Sequence, residues 1–129
     1  MNNCFILLAA GESKRFNSTT PKPYHLYKGK ALFLHSIEKS IKSNKFNKIV
    51  LVINKNHKKF LKNKKLKNTK IIIGGKNRSE SSLIALKSIK KNNISKVFIH
   101  DAARPNFSLN LISKVSLLYL LPLQTSHGI

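Results

Sequence analysis

The stretch Ile6–Tyr24, ILLAAGESKRFNSTTPKPY, decides how the rest of the chain is interpreted. An apolar run from Cys4 to Leu8 breaks at Ala9-Ala10-Gly11 into a turn of small residues. Such a turn lets backbone N–H groups approach a ligand closely. The cations that follow it suit a polyphosphate: Lys14, Arg15 and Lys22. Gly11 stands alone, so the stretch is neither a Walker A loop nor a three-glycine dinucleotide fingerprint. Spacing alone leaves phosphate binding and an ordinary strand-to-loop turn equally open.

Length and cysteine content restrict the class of protein. The chain has 129 residues, which suits one domain with a modest core. Its single cysteine, Cys4, excludes a disulfide framework and fits a reducing compartment. We find no signal-peptide pattern and no apolar run of membrane-spanning length. The sequence therefore predicts a cytoplasmic protein of one domain, residues 1–129.

The net charge of +21 raises the question of nucleic-acid binding. The excess is almost all lysine, 22 Lys against 3 Arg, scattered among asparagines. Aromatic residues are not interleaved with the charges as a base-stacking platform requires. We therefore interpret the lysines as solvated surface and do not expect nucleic acid as a partner.

Against this lysine background the rare charges are informative. The arginines are Arg15, Arg78 and Arg104, and all three follow apolar runs in small-residue loops. Three of the four acids lie within three residues of one of them: Glu12, Glu80 and Asp101. Because arginine offers a planar fork that lysine cannot replace, a shared phosphate site explains the clustering better than chance.

Apolar periodicity predicts alternating strands and helices. The predicted strands are Cys4–Ala9, Lys48–Ile53, Lys70–Ile73 and Lys96–Ile99. The predicted helices are Ala31–Ser43, Ser79–Lys91 with Leu83, Leu86 and Ile89 on one face, and an apolar segment Leu109–Leu120. A short exposed helix and a loop are expected within Asn56–Asn68.

This alternation predicts an α/β fold with an open, mostly parallel sheet and helices on both faces. In such sheets ligands bind beyond the carboxyl ends of the strands. The loops after the first, third and fourth strands should therefore converge. They bring Gly11, Gly74-Gly75 and Asp101 to one edge.

Asp101 follows His100 at the end of the fourth strand, in HDAARP. A carboxylate there can hold Mg²⁺, which prefers one or two carboxylates together with phosphate oxygens. A loop or helix-capping role for Asp101 is the alternative. His100 could act as a base, but strand alternation favours a place in the core.

Four motifs in this order and spacing resemble 2-C-methyl-D-erythritol 4-phosphate cytidylyltransferases: LLAAGESKRF, PKPY, GGKNRSESS and HDAARP. The resemblance covers about Cys4 to Leu118. It implies a Rossmann-like fold of the nucleotide-diphospho-sugar transferase kind. It also implies transfer of a cytidylyl group from CTP to 2-C-methyl-D-erythritol 4-phosphate with release of pyrophosphate, in the non-mevalonate route to isoprenoids. Mg²⁺ or another divalent cation is the implied cofactor, and the family forms homodimers.

The resemblance also implies roles for individual residues. Arg15 and Lys22 match the two catalytic cations, and Asp101 matches the metal and substrate region. Arg104 matches a residue that binds the sugar phosphate. The implied nucleotide contacts are Ala9, Ala10, Gly11, Gly75, Ser81 and Ala102. Lys76 stands where the family often has an acid, which puts that base or ribose contact in doubt.

The family's chains are much longer, so the resemblance implies a domain that is incomplete at its C-terminus. A truncated or frameshifted product and the front of a bifunctional cytidylyltransferase/cyclodiphosphate synthase are both compatible with this sequence. Three further functions remain as alternatives: a ribitol-5-phosphate cytidylyltransferase, an inactive nucleotide-binding fragment and, on charge alone, a nucleic-acid-binding module.

Overall fold

The long strands of the molecule form one parallel sheet. The computed structural model describes residues 2–11, 20–62, 64, 66–90 and 93–103. The strands are β1 (Asn3–Ala9), β2 (Leu26–Tyr27), β3 (Lys30–Ala31), β4 (Lys48–Ile53), β5 (Thr69–Ile73) and β6 (Lys96–Asp101), and the helices are α1 (Leu32–Lys42) and α2 (Arg78–Ser88). Two 3₁₀ helices cover Lys22–Tyr24 and Lys55–Leu61.

β1 lies inside the sheet, as its unbroken apolar run predicts. It pairs in parallel with β4 on one side and β6 on the other, and the sheet order is β5-β4-β1-β6. Residues 4–9 are buried, so both faces of the strand are covered. Burial raises the pKa of the Cys4 thiol to about 12, which keeps it protonated at neutral pH.

One helix covers each face of the sheet. On one face Phe33 and Ile37 of α1 pack in a cluster with Phe5, Leu7 and Leu51. On the other face Ala85 of α2 and the following Ile89 pack with Ile6, Val50 and Val52. The two clusters use alternate residues of the same strands. The predicted α/β architecture is therefore confirmed.

His100 lies on the first of these faces. Its ring stacks against Phe5 and Phe98, with ring centroids 6.4 and 6.1 Å apart, and the residue is half-buried. This agrees with the prediction that strand alternation directs His100 towards the core.

The structure contradicts one prediction about an individual segment and adds an element that was not predicted. Leu83 is half-exposed, because α2 packs through Ser81, Ala85 and the following Ile89, and Leu83 lies on the opposite side of the helix. A two-residue hairpin, β2–β3, follows the proline-containing loop and was not predicted. Its turn residues Lys28 and Gly29 both have positive φ, which is the geometry of a tight hairpin turn.

The predicted segment Leu109–Leu120 lies outside the described residues. Within the described residues, the helices lack the length and apolar character that a membrane crossing requires.

Candidate functional site

The carboxyl ends of the strands surround one cavity. In the sheet register Ala9 lies beside Ile53, and Leu8 lies beside Asp101, so β1, β4 and β6 end at nearly the same level. From β1 the chain adds β4 and then β5 on one side of the sheet, and it then returns to add β6 on the other side of β1. The crevice between β1 and β6 is therefore the topological switch point, where ligands bind in open α/β sheets. The cavity has a volume of about 440 Å³, within the usual range for small-molecule sites, and is lined by Leu8, Ala9, Ala10, Gly11, Pro23, Asn54, Gly75, Lys76, Asn77, Arg78, Ser81, Asp101 and Ala103.

The turn after β1 supplies the first wall. Ala9 and Ala10 are buried, whereas Gly11 is exposed. A Cβ added at Gly11 would lie more than 4 Å from every other described residue outside its chain neighbours. Glycine at this position therefore relieves no clash with the described residues, and its backbone is accessible from the cavity.

The double glycine after β5 supplies the second wall. Unlike Gly11, Gly74 leaves no room for a side chain. A Cβ on Gly74 would lie 2.6 Å from Ser81 Oγ, 2.7 Å from Ala10 Cβ and 2.9 Å from Val52 Cγ1. The Gly74 amide donates to the Ile53 carbonyl at 2.8 Å, and the Gly75 amide donates to Ser81 Oγ at 3.0 Å. Gly74 thus lets the loop after β5 lie directly against the turn after β1.

The N-terminus of α2 faces the same cavity. Asn77 caps the helix, because its Oδ1 accepts the Glu80 amide at 2.8 Å. Lys76 and Arg78 flank this cap on the exposed rim of the cavity. The helix dipole and the two cations give this wall a positive potential, which suits a phosphate group.

Asp101 ends β6 on the opposite wall. Its Oδ1 accepts the Ala103 amide at 2.9 Å, which turns the chain around the cavity. The predicted turn role and the predicted ligand role are thus both compatible with its position, because a carboxylate has two oxygens.

Two predicted site residues lie beside the cavity rather than on it. Ala102 is fully buried, and its amide donates to the Leu8 carbonyl at 2.8 Å, whereas the next residue, Ala103, lines the cavity. Lys22 is half-buried in the 3₁₀ helix, and its neighbour Pro23 lines the cavity. The roles assigned to Ala102 and Lys22 stay predictions. Arg15 and Arg104 lie outside the described residues.

The family model "IspD: 2-C-methyl-D-erythritol 4-phosphate cytidylyltransferase" matches residues 3–121. The chain belongs to this cytidylyltransferase family. The curated "Bifunctional enzyme IspD/IspF" of Pelagibacter ubique is 67% identical over 115 residues, covering 89% of this chain and 31% of that protein. The 2-C-methyl-D-erythritol 4-phosphate cytidylyltransferase of Thermosipho melanesiensis is 37% identical over 116 residues, covering 85% of this chain and 51% of that protein. The chain thus spans about a third to a half of the length of these relatives.

A solved structure of a family member and another with the shared fold also match the chain. The bifunctional IspDF from Campylobacter jejuni matches with a TM-score of 0.72 at 32% identity, covering 88% of this chain and 29% of that chain. A manganese complex of a Mycobacterium tuberculosis protein matches with a TM-score of 0.70 at 14% identity, covering 89% of this chain and 58% of that chain, and shows the shared fold alone.

Sequence reasoning missed two polar side chains that line this cavity, Asn54 and Asn77. Asn54 directly follows β4, so its position at a strand's carboxyl end was a usable signal. Asn77 follows the double glycine and precedes the helical run, which is the pattern of a helix cap. Both were hidden by the abundance of asparagine in the chain.

The donor set of the cavity fits a divalent cation that is shared with phosphate. Within the described residues, three or more His, Cys, Asp or Glu side chains never come together as a cation cage. Asp101 is the carboxylate among the lining residues, and only one of its oxygens is engaged by Ala103. One carboxylate is what Mg²⁺ uses where phosphate oxygens and water complete its shell.

Proposed function

We propose that this chain carries the CTP-binding part of a 2-C-methyl-D-erythritol 4-phosphate cytidylyltransferase. The observation that carries the proposal is the convergence of Gly11, the α2 N-terminus and Asp101 around one cavity at the carboxyl edge of the sheet. Membership of the family supports CTP as the nucleotide and methylerythritol phosphate as the acceptor.

The proposed reaction joins two anions. An oxygen of the acceptor's phosphate attacks the α-phosphorus of CTP and forms a new P–O bond. The bond from that phosphorus to the bridging oxygen of the β-phosphate breaks, and pyrophosphate leaves with the electron pair. The attacking phosphate is already ionised, so the protein need not supply a general base. Positioning and charge stabilisation carry transfers of this kind.

The proposed roles follow the walls of the cavity. The backbone of Ala9, Ala10 and Gly11, with Gly75 and Ser81, holds the nucleotide, and Ala102 stays a predicted contact. Arg15 and Lys22 neutralise charge that develops on the triphosphate, and Arg104 binds the acceptor's phosphate. Lys76 and Arg78 add positive potential at the rim.

Asp101 would hold a divalent cation, either Mg²⁺ or Mn²⁺. A cation held there would offset the negative charge of the phosphate groups. The position of Asp101 among the lining residues supports this role, and a protein of the same fold was crystallised with manganese.

The whole protein's properties are part of the proposal. The similarity to a bifunctional enzyme supports a place for this chain at the front of a two-activity protein. The proposal also includes a homodimer, which the family resemblance predicts, and a cytoplasmic location, which the single cysteine predicts.

Titration of the ¹⁵N-labelled chain with Mg·CTP tests the proposal. Amide shifts should change at Gly11, Gly75 and Asp101, and CTP should bind more tightly than ATP, GTP or UTP. Changes confined to Lys55–Lys70 would contradict the proposed site. Salt-sensitive binding of RNA or DNA without preference for CTP would favour the nucleic-acid alternative instead.

The acceptor is tested by pyrophosphate release. The chain, extended by the remaining part of its Pelagibacter relative, should release pyrophosphate from CTP with methylerythritol phosphate. Faster release with ribitol 5-phosphate would reassign the acceptor. Tight CTP binding without release with either acceptor would favour the inactive-fragment alternative.

A further inference from the structure

Asn54 joins two walls of the cavity that are far apart in sequence. β1 and β4 are paired so that Ala9 lies beside Ile53, and the next residue on each strand is Ala10 or Asn54. The Asn54 Nδ2 donates to the Ala10 carbonyl at 3.2 Å. Asn54 also lines the cavity and is half-buried there.

The oxygen of the Asn54 side chain bonds to the segment that follows β4. This Oδ1 accepts the Asn56 amide at 2.9 Å, which caps the 3₁₀ helix Lys55–Leu61. A side chain that bonds through both oxygen and nitrogen has a defined amide orientation. The Ala10 carbonyl is therefore held by a fixed donor.

Holding this carbonyl has a consequence for the next amide. The peptide unit between Ala10 and Gly11 is planar, and in a trans peptide the C=O and the N–H point in opposite directions. A donor that fixes the Ala10 carbonyl therefore also fixes the direction of the Gly11 N–H. Gly11 has no side chain to restrict its own rotation, and a Cβ placed there would contact none of the described residues.

We propose that Asn54 is a positioning residue for the nucleotide site, because it sets the direction of the Gly11 N–H by holding the Ala10 carbonyl. The choice of a nucleoside triphosphate as ligand rests on the proposed function. The effect of Asn54 on the Gly11 N–H rests only on the hydrogen bond to Ala10 and the planar peptide. Asn54 acts through the backbone and is assigned no contact with the reacting atoms.

Two substitutions separate the bond of Asn54 to Ala10 from its bond to Asn56. Asn54→Asp keeps the oxygen that caps Asn56 but replaces the donor to Ala10 with an acceptor. Asn54→Ser keeps an oxygen that can cap the helix, removes the NH₂ group that donates to Ala10, and adds no charge. Asn47→Ser is the matched control, because Asn47 Oδ1 accepts the Asn3 amide at the opposite end of the sheet.

The first measurement needs no ligand. The ¹⁵N order parameter of the Gly11 amide should fall in both Asn54 variants, towards the range below about 0.6 that marks flexible backbone. It should stay at the unsubstituted value in Asn47→Ser. Unchanged Gly11 order in both Asn54 variants would overturn the inference.

The second measurement uses Mg·CTP with the full chain. The Kd should rise about 2- to 10-fold in Asn54→Ser, the worth of one ordinary hydrogen bond, and further in Asn54→Asp. In the extended enzyme the KM for CTP should rise while the KM for the acceptor stays constant. A purely structural role would lower the melting temperature and change both KM values.

The two proposals can fail separately. If the unsubstituted chain does not bind Mg·CTP, the proposed function fails, and the Gly11 order parameter still decides the role of Asn54. If the unsubstituted chain binds and Asn54→Ser binds equally well, the positioning role is wrong and the proposed function stands.

Discussion

Two glycines of the site differ in what they tolerate. We expect Gly74→Ala to lower the free energy of unfolding by about 1–3 kcal/mol, because the added methyl overlaps Ser81, Ala10 and Val52. Gly11→Ala should leave stability nearly unchanged and weaken CTP binding, because its methyl enters the open cavity. Urea unfolding and Mg·CTP titration measure the two effects. Equal stability of both variants would refute the close contact at Gly74.

Tyr24 buries a hydroxyl group without a hydrogen-bond partner among the described residues. Its ring stacks on Phe60 at 4.6 Å and meets the edges of Phe33 and His57. Because an unsatisfied buried hydroxyl is costly, Tyr24→Phe should leave the free energy of unfolding unchanged or raise it by up to about 1 kcal/mol. Thermal unfolding checks this prediction, and a clear loss of stability would show that the hydroxyl has a partner.

The same hydroxyl predicts a pH dependence. Burial raises the pKa of Tyr24 from its ordinary value of about 10 to about 12. The unfolded chain therefore loses this proton first, so the Tyr24 contribution to stability is complete below pH 10 and is lost as pH rises towards 12. Tyr24→Phe should flatten the fall in stability over that interval, as followed by urea unfolding.

At the scale of elements, the first turn of α2 serves both stability and the site. Asn77→Ala removes the cap on the Glu80 amide and should cost about 1 kcal/mol of stability. Asn77→Asp keeps the cap and should preserve stability, but it places a carboxylate beside the cavity and should weaken Mg·CTP binding. Melting temperature and Kd are measured on both variants. Unchanged binding by Asn77→Asp would mean that the triphosphate lies away from this helix.

For the whole molecule, we expect the 129-residue chain to bind CTP weakly and to turn over methylerythritol phosphate slowly, if at all. The described cavity carries the residues proposed to hold the nucleotide, whereas the chain spans about half the length of the single-activity relative from Thermosipho melanesiensis. β5 and β6 are the outer strands of the described sheet, and an outer strand that stays unpaired in this chain would favour aggregation. Extension with the remaining part of the Pelagibacter relative should raise the rate of pyrophosphate release.

The short chain and the extended chain are compared at equal concentration of folded protein, judged by circular dichroism. Only folded molecules bind, so this normalisation separates poor folding from an incomplete site. Equal rates from the two chains would show that the acceptor site is already complete within 129 residues.

Local patterns in the sequence determined much of the fold and the place of the site. Strand β1 was predictable because an unbroken apolar run is stable only when both faces are covered. The convergence of Gly11, Gly75 and Asp101 was predictable because parallel strands bring their carboxyl ends to one edge. These inferences need only the order of the residues along the chain.

The tertiary structure decided what depends on contacts between distant segments. The rotation of α2 about its axis, which exposes Leu83, depends on how closely Ser81 and Ala85 pack against the sheet. The bond from Asn54 to Ala10 joins residues 44 positions apart, and the place of Asn54 after β4 does not show which carbonyl its side chain will bond. The difference between Gly74 and Gly11 depends on which atoms surround each backbone. Periodicity reports which faces are buried, whereas side-chain partners are fixed only when the strands and helices are packed together.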